Sequence, residues 1–173
     1  MDAVSELLQE TLVEIERHVS ASGWDQRPQL YALARTAELV VREPDFAAQL
    51  GLDPDRLPAD ALTPVEQDAL PEDKALDETL AEIGWPSEVA GCALVQEVVM
   101  LPPEVEEAMP RHADVLDWAV GHPQRREARL AVAVLRDGSR ACTVRMRGED
   151  EDELLVGPDL APALADALAA TLT

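Results

Sequence analysis

ARLAVAVLRDGSRACTVRMR, residues 128–147, decides the fold. Apolar residues recur with a period of two on both sides of Asp137-Gly138, a dipeptide suited to the tight turn of a hairpin. Leu130, Val132 and Val134 share one side of the first run, and Cys142, Val144 and Met146 share one side of the second. The stretch therefore predicts two antiparallel strands with one face each turned to a core.

Working outward, the Val-rich run GCALVQEVVML (91–101) predicts another strand, ended by Pro102-Pro103. RPQLYALART (27–36) predicts a strand over 28–36, and Leu154-Leu155-Val156 predicts an edge strand. Residues 3–20 predict an amphipathic helix: Val4, Leu7, Leu8, Leu12, Ile15 and Val19 recur at steps of three and four, with Glu6, Glu10 and Glu14 on the other side. Further helices are expected over 37–50 (interrupted at Pro44-Asp45), 74–83, 103–109, 112–121 and 160–172. Residues 51–73 carry four prolines and seven acids. They predict a loop, with a short helical turn where Thr63 caps and Pro64 takes the first helical position.

Strands and helices do not alternate regularly, and no Gly-rich turn joins a strand to a helix. The expected class is α+β: a mostly antiparallel sheet of four or five strands packed with helices, including amphipathic N- and C-terminal helices. At 173 residues a single domain over 1–173 is expected, with the Pro- and acid-rich loop at 51–73.

Composition narrows the function classes. Asp and Glu number 35 against 14 Lys and Arg, a net charge of −21. Such a field repels polyanions, so nucleic acid is not an expected partner. No apolar run reaches the length of a membrane span, and the N-terminus MDAVSELLQE lacks the basic and apolar regions of a signal peptide. A cytoplasmic protein is expected. Thirteen arginines to one lysine (Lys74), two isoleucines and no asparagine fit a GC-rich genome and carry no functional signal. The acidity itself reads as colloidal repulsion that keeps the chain dissolved.

Motifs for chemistry are missing from the sequence. There is no G-x-S-x-G, no H-E-x-x-H, no Walker loop and no G-x-G-x-x-G. Cys92 and Cys142 lie on predicted strands and read as buried small hydrophobes. His18 follows Glu14 by one helical turn, which reads as an intrahelical pair. No catalytic, metal or cofactor-binding residue is assigned, and no cofactor is expected.

One local contrast stands out. Residues 125–147 hold seven arginines and two acids, a segment of +5 in an acidic chain. Isolated arginines on a sheet usually find carboxylates, so internal pairing is the preferred reading; an anion or acidic-peptide site is the other. A helix, then Gly-Trp, then a strand occurs twice, at Gly23-Trp24 and Gly84-Trp85. There Gly stops the helix and Trp packs into the helix–sheet seam.

G-W-D-Q-x-P-x-L-Y-A-L-x-x-T-A-E-L (23–39), G-W-P (84–86), R-L-A-V-A-V-L-R-D-G (129–138) and D-L-A-P-A-L (159–164) resemble an uncharacterised family of small actinobacterial proteins. That resemblance implies a cytoplasmic, single-domain α+β protein and brings no catalytic residues with it. The leading expectation is a non-enzymatic protein-interaction or adaptor module, which holds a protein partner or forms a homodimer through a sheet face or the apolar face of helix 3–20. The alternative is a small-molecule binding protein or enzyme for an anionic ligand, with a pocket between sheet and helices. In it Arg35, Arg129 and Arg145 would contact the anion, and Trp24 and Trp85 would form walls.

Overall fold

The computed structural model describes residues 3–52, 61–71, 73–100, 126–148, 153–158 and 160–172. The helical turns expected at 103–109 and 112–121, with His112 and His122, lie outside the described residues, as does most of the acidic run 149–153. Helix α1 spans Ala3–Ser20, and strand β1 spans Gln29–Arg35. Helices α2 (Thr36–Arg42) and α3 (Pro44–Gln49) follow, then strand β2 (Leu62–Glu66), helix α4 (Leu76–Ala81) and strand β3 (Val89–Met100). The hairpin strands are β4 (Arg126–Leu135) and β5 (Arg140–Met146). Strand β6 (Leu154–Gly157) and helix α5 (Pro162–Ala170) complete the described order.

The strands form one sheet in the order β2-β1-β3-β4-β5-β6, with every neighbouring pair antiparallel. The α+β class holds, but among the described residues the sheet has six strands where about four or five were expected. The extra strand is β2, read from the sequence as a helical turn. Thr63-Pro64 imitates a helix start, yet Pro64 sits opposite Leu33 on an outer strand. There a residue without an N–H is tolerated, because among the described residues the outward edge of β2 has no ladder partner to supply. Thr63 is not a cap; its hydroxyl meets that of Thr36 at 2.8 Å in a buried contact, and the Thr36 N–H donates to the Ala61 carbonyl at 2.9 Å.

Helices cover both faces of the sheet. On one, Leu8, Leu12, Ile15 and Val19 of α1 pack on Tyr31, Leu33, Val95 and Leu135. Ala93, Ala133 and Ala141 stand in one row across β3, β4 and β5. This floor of methyl groups lets the leucines of α1 approach the backbone closely. The apolar stripe of α1, expected as one possible partner face, is thus buried in the protein's own core. On the other face Leu30, Leu94, Val132 and Val134 pack against Leu80 of α4 and against Ala165, Leu168 and Leu172 from α5 and its end.

The turns follow from residue chemistry. Gly138 takes φ +94°, and the Ser139 N–H donates to the Asp137 carboxylate at 2.8 Å, closing the hairpin. After α3, Gly51 at φ +72° donates to Ala48 and Leu52 donates to Ala47, the paired bonds of a Schellman stop. Gly91 answers to a different need. A Cβ there would run into the Val134 carbonyl oxygen and the Leu135 side chain. We expect Gly91→Ala to destabilise the protein by about 2–3 kcal/mol, because backbone as well as side chain must move. Urea denaturation of that variant against the parent measures it.

Candidate functional site

The inner face under α1 changes character at one end, where the row of small and apolar residues gives way to charge. Along β3 the positions Ala93 and Val95 are followed on the same face by Glu97; along β4 Arg129 takes the next place before Ala131, and along β5 Arg145 follows Thr143. Register sets Glu97 opposite Arg129 and Arg129 opposite Arg145. From α1 the residue above them is Glu16, one turn beyond Leu12 and fully buried.

These groups satisfy one another. Arg145 forks onto Glu16: Nε donates to Oε1, and Nη2 donates to Oε2 at 2.9 Å. Ser20 donates to the same Oε1 at 2.6 Å, and Arg129 Nη1 donates to the Ser20 hydroxyl at 2.8 Å. Arg129, only 1% exposed, also donates through Nη2 to the Gly23 carbonyl and lies 3.5 Å from Glu97. The Glu97 carboxylate accepts the backbone N–H groups of Asp25 (2.8 Å) and Gln26 (2.7 Å). It thereby fixes the turn that follows Gly23, in which Asp25 itself has φ +66°. Trp24 lies over this cluster, its ring 4.4 Å from the Arg129 guanidinium and 5.4 Å from that of Arg147. Arg147 closes the outer rim on Asp25 (2.9 Å) and Glu127 (2.7 Å).

The proton affinities follow this geometry. Burial alone would push the Glu16 carboxyl up, but hydrogen bonds from Arg145 and Ser20 and the charges of Arg145 and Arg129 bring it below the ordinary value near 4.5. The Arg147 hydrogen bond and charge hold Asp25 below its usual range, and the Asp25 and Glu127 carboxylates raise Arg147 in turn. Glu16, Asp25 and Arg147 are thus each held in the charged form by a partner, the arrangement of a structural ion network. The Nε of Arg129 is the one guanidinium nitrogen in the cluster that is buried without a hydrogen bond among the described residues.

The five residues singled out from the sequence divide into three places. Trp24, Arg129 and Arg145 meet in this cluster. Arg35 stands at the far end of β1, exposed, on a cleft of about 330 Å³ shared with Glu38, Arg42 and Glu88. Trp85 lies on the opposite face, where its Nε1 donates to the Thr171 hydroxyl at 2.9 Å. The five therefore do not line one pocket. Glu16, Glu97 and Asp25 were missed. Glu16 had a signal: it is the one acid at a step of four from Leu12 and three before Val19, within the apolar stripe of α1.

Other reactive groups are enclosed or spread apart. Cys92 and Cys142 are both buried and unbridged. Burial pushes the Cys92 thiol up, against smaller downward effects of Thr171, Trp85 and Arg136. Tyr31 is pushed up to about 12 by burial and by Glu66 opposite it. Glu14 and His18 lie on the exposed side of α1. Among the described residues no group of three or more His, Cys, Asp or Glu side chains could hold a metal ion, and no helix is long and apolar enough to cross a membrane.

The sheet edge offers a contrasting surface. Among the described residues β6 is an outer strand, paired only with β5. Leu155 is 56% exposed, Val156 40% and the nearby Leu160 47%. In sequence this edge lies between five acids, Glu149 to Glu153, and Asp159.

A family model described as PPA1309-like protein matches residues 8–173. No curated protein and no solved structure matches the chain.

Proposed function

We propose, for a chain that belongs to the PPA1309-like protein family, a role in holding a partner polypeptide: an extended, basic segment that adds as a strand along β6. The observation that carries this reading is the run Leu155-Val156 exposed on an outer strand, with Leu160 beside it. Outer strands present unpaired N–H and C=O groups, and exposed apolar side chains there favour addition of another strand. Backbone pairing supplies affinity, and alternate side chains of the incoming segment reach Leu155 and Val156 on opposite faces.

The chemistry of the segment follows from charge. At −21 the chain repels a second copy of itself and attracts cations, most strongly where five acids adjoin the edge. The enclosed ion network supports binding over turnover, since its carboxylates and guanidiniums are already committed to one another.

A labelled peptide of alternating lysine and valine tests the proposal, with a control in which glycine replaces valine. The valine peptide is expected to bind the full chain, to weaken with added salt and to perturb the amides of residues 154–157 in NMR spectra. Leu155→Asp and Val156→Asp are expected to remove that binding while leaving the fold intact. Equal binding of the glycine control sinks the reading, because it reduces the contact to charge. So does a homodimer, seen by light scattering, that Leu155→Asp dissolves, because the edge then pairs with a second copy.

A further inference from the structure

The ladder that holds β6 decides which of its backbone groups are left over. At the open end of the β4–β5 hairpin the Arg147 N–H donates to the Glu127 carbonyl at 2.8 Å, and beside the turn the Leu135 N–H donates to the Ser139 carbonyl at 2.9 Å. The register between these two points is continuous. Hydrogen-bonded and non-bonded pairs alternate along an antiparallel ladder, so Thr143 and Arg145 direct their backbone groups to β4, and Cys142 and Val144 direct theirs to β6. Val144 stands opposite Leu155, and Cys142 opposite Gly157. Leu155 and Gly157 therefore bond inward. Leu154 and Val156 turn their N–H and C=O groups to the outer side, where no strand pairs with them among the described residues. Pro158, the next outward position, has no N–H, and the ladder that an added strand makes stops there.

Side chains alternate along the same strand. Leu155 and Gly157 pair with Val144 and Cys142, on the face of the second core, and a Cβ at Gly157 would lie 3.4 Å from Leu160 Cγ. Leu155, the bare Gly157 and Leu160 thus make an apolar strip along one face of the edge. Two residues ahead of Leu155 in the alternation stands Glu153, which is exposed. In sequence five acids lead into β6 and one, Asp159, follows it. Resting on the edge-strand reading above, we propose that the segment held by β6 runs antiparallel to it and carries, from its N- to its C-terminal end, the pattern apolar-x-apolar-x-basic. The two x residues stand opposite Val156 and Leu154 and make the backbone hydrogen bonds. The three patterned residues stand opposite Gly157, Leu155 and Glu153, at non-bonded positions, where Cα atoms approach to about 4.5 Å and side chains meet most closely. The apolar pair covers the strip, and the basic residue faces Glu153. An antiparallel direction continues a sheet in which every neighbouring pair is antiparallel, and a parallel segment pairs less stably.

Two acetylated and amidated peptides of one composition test this against the full chain: Thr-Val-Thr-Val-Thr-Lys-Thr and its reverse, Thr-Lys-Thr-Val-Thr-Val-Thr. The first is expected to bind roughly fivefold more tightly, since two cross-strand pairs favour it. In the free chain the Leu154 and Val156 amides should exchange with solvent faster than those of Leu155 and Gly157, and the first peptide should slow those two. Val156→Pro removes an outward N–H and no bond to β5, so its melting temperature should stay near the parent's while the first peptide binds roughly tenfold more weakly. Equal or tighter binding of the reversed peptide overturns the proposal, and so does unchanged affinity in Val156→Pro. Slower exchange at Leu154 and Val156 than at Leu155 and Gly157 in the free chain overturns it without any variant. Binding of the lysine–valine peptide at residues 154–157 with no preference between the two directions leaves the edge-strand reading standing and removes this one. Loss of all peptide binding removes both.

Discussion

Arg145→Met is expected to lower the stability of the folded chain by about 3–5 kcal/mol, because it leaves a fully buried carboxylate without its main partner. Glu16 has no exposed surface and takes two of its hydrogen bonds from Arg145. Methionine fills much of the same volume, so the loss is electrostatic and not a cavity. The double variant Glu16→Leu/Arg145→Met removes both charges and should recover to within about 1 kcal/mol of the parent. Acid provides a second readout. The Glu16 carboxyl is held below its ordinary value near 4.5, so its contribution is complete above that pH and is lost as pH falls through the lower, folded-state value. The stability gap between the parent and Glu16→Gln should therefore be constant above pH 4.5 and shrink below it. Urea melts of the four proteins from neutral to acid pH decide the matter. A single-variant loss under about 1 kcal/mol would show that α1 docks through its leucines alone.

The sequence carries the hairpin, the central strand β3 and α1 because in each a period is sustained long enough to outweigh local propensity. Strand β2 was illegible for a specific reason. Thr63-Pro64 is an equally good helix start or edge-strand fragment, and only the position of the strand in the sheet decides which. The charged cluster was half legible. Arg129 and Arg145 stand out in an acidic chain, whereas Glu16 and Glu97 blend into 35 acids. Their distinction is positional, since each occupies a place that the apolar periodicity reserves for the core. Arg35 and Trp85 resemble Arg129 and Trp24 in type and local setting. Their separation depends on sheet order and on which face each helix covers, and the internal pattern of any one segment contains neither. The Gly-Trp pairs show this well: both follow a helix and precede one of two adjacent antiparallel strands, yet Trp24 faces arginines under α1 and Trp85 faces α5.

Leu168→Ala is expected to cost about 3–4 kcal/mol and to expose a thiol that is otherwise shielded. Leu168 is fully buried at the centre of the second core, between Ala165 and Leu172. Helix α5 has nine residues, too few to persist without packing. Its far end is secured by polar contacts: Arg136 donates to the carbonyls of Leu172, Trp85, Pro86 and Val89. Thr171 accepts from Trp85 Nε1 and donates to the Leu168 carbonyl at 2.6 Å. Loss of the Leu168 side chain removes the apolar anchor between these contacts and the N-terminus of α5, so the helix should open locally before the sheet unfolds. Cys92 reports that opening, since its Sγ lies 3.7 Å from the Leu168 carbonyl and 3.6 Å from the Thr171 hydroxyl. In a Cys142→Ala background the parent should label slowly with a thiol reagent at neutral pH, because the Cys92 thiol is both buried and pushed up. The Leu168→Ala protein should label faster by more than its loss of global stability accounts for. A labelling rate that tracks global stability alone would show instead that α5 and the sheet unfold as one cooperative unit, with the Arg136 contacts sufficient to hold the helix in place.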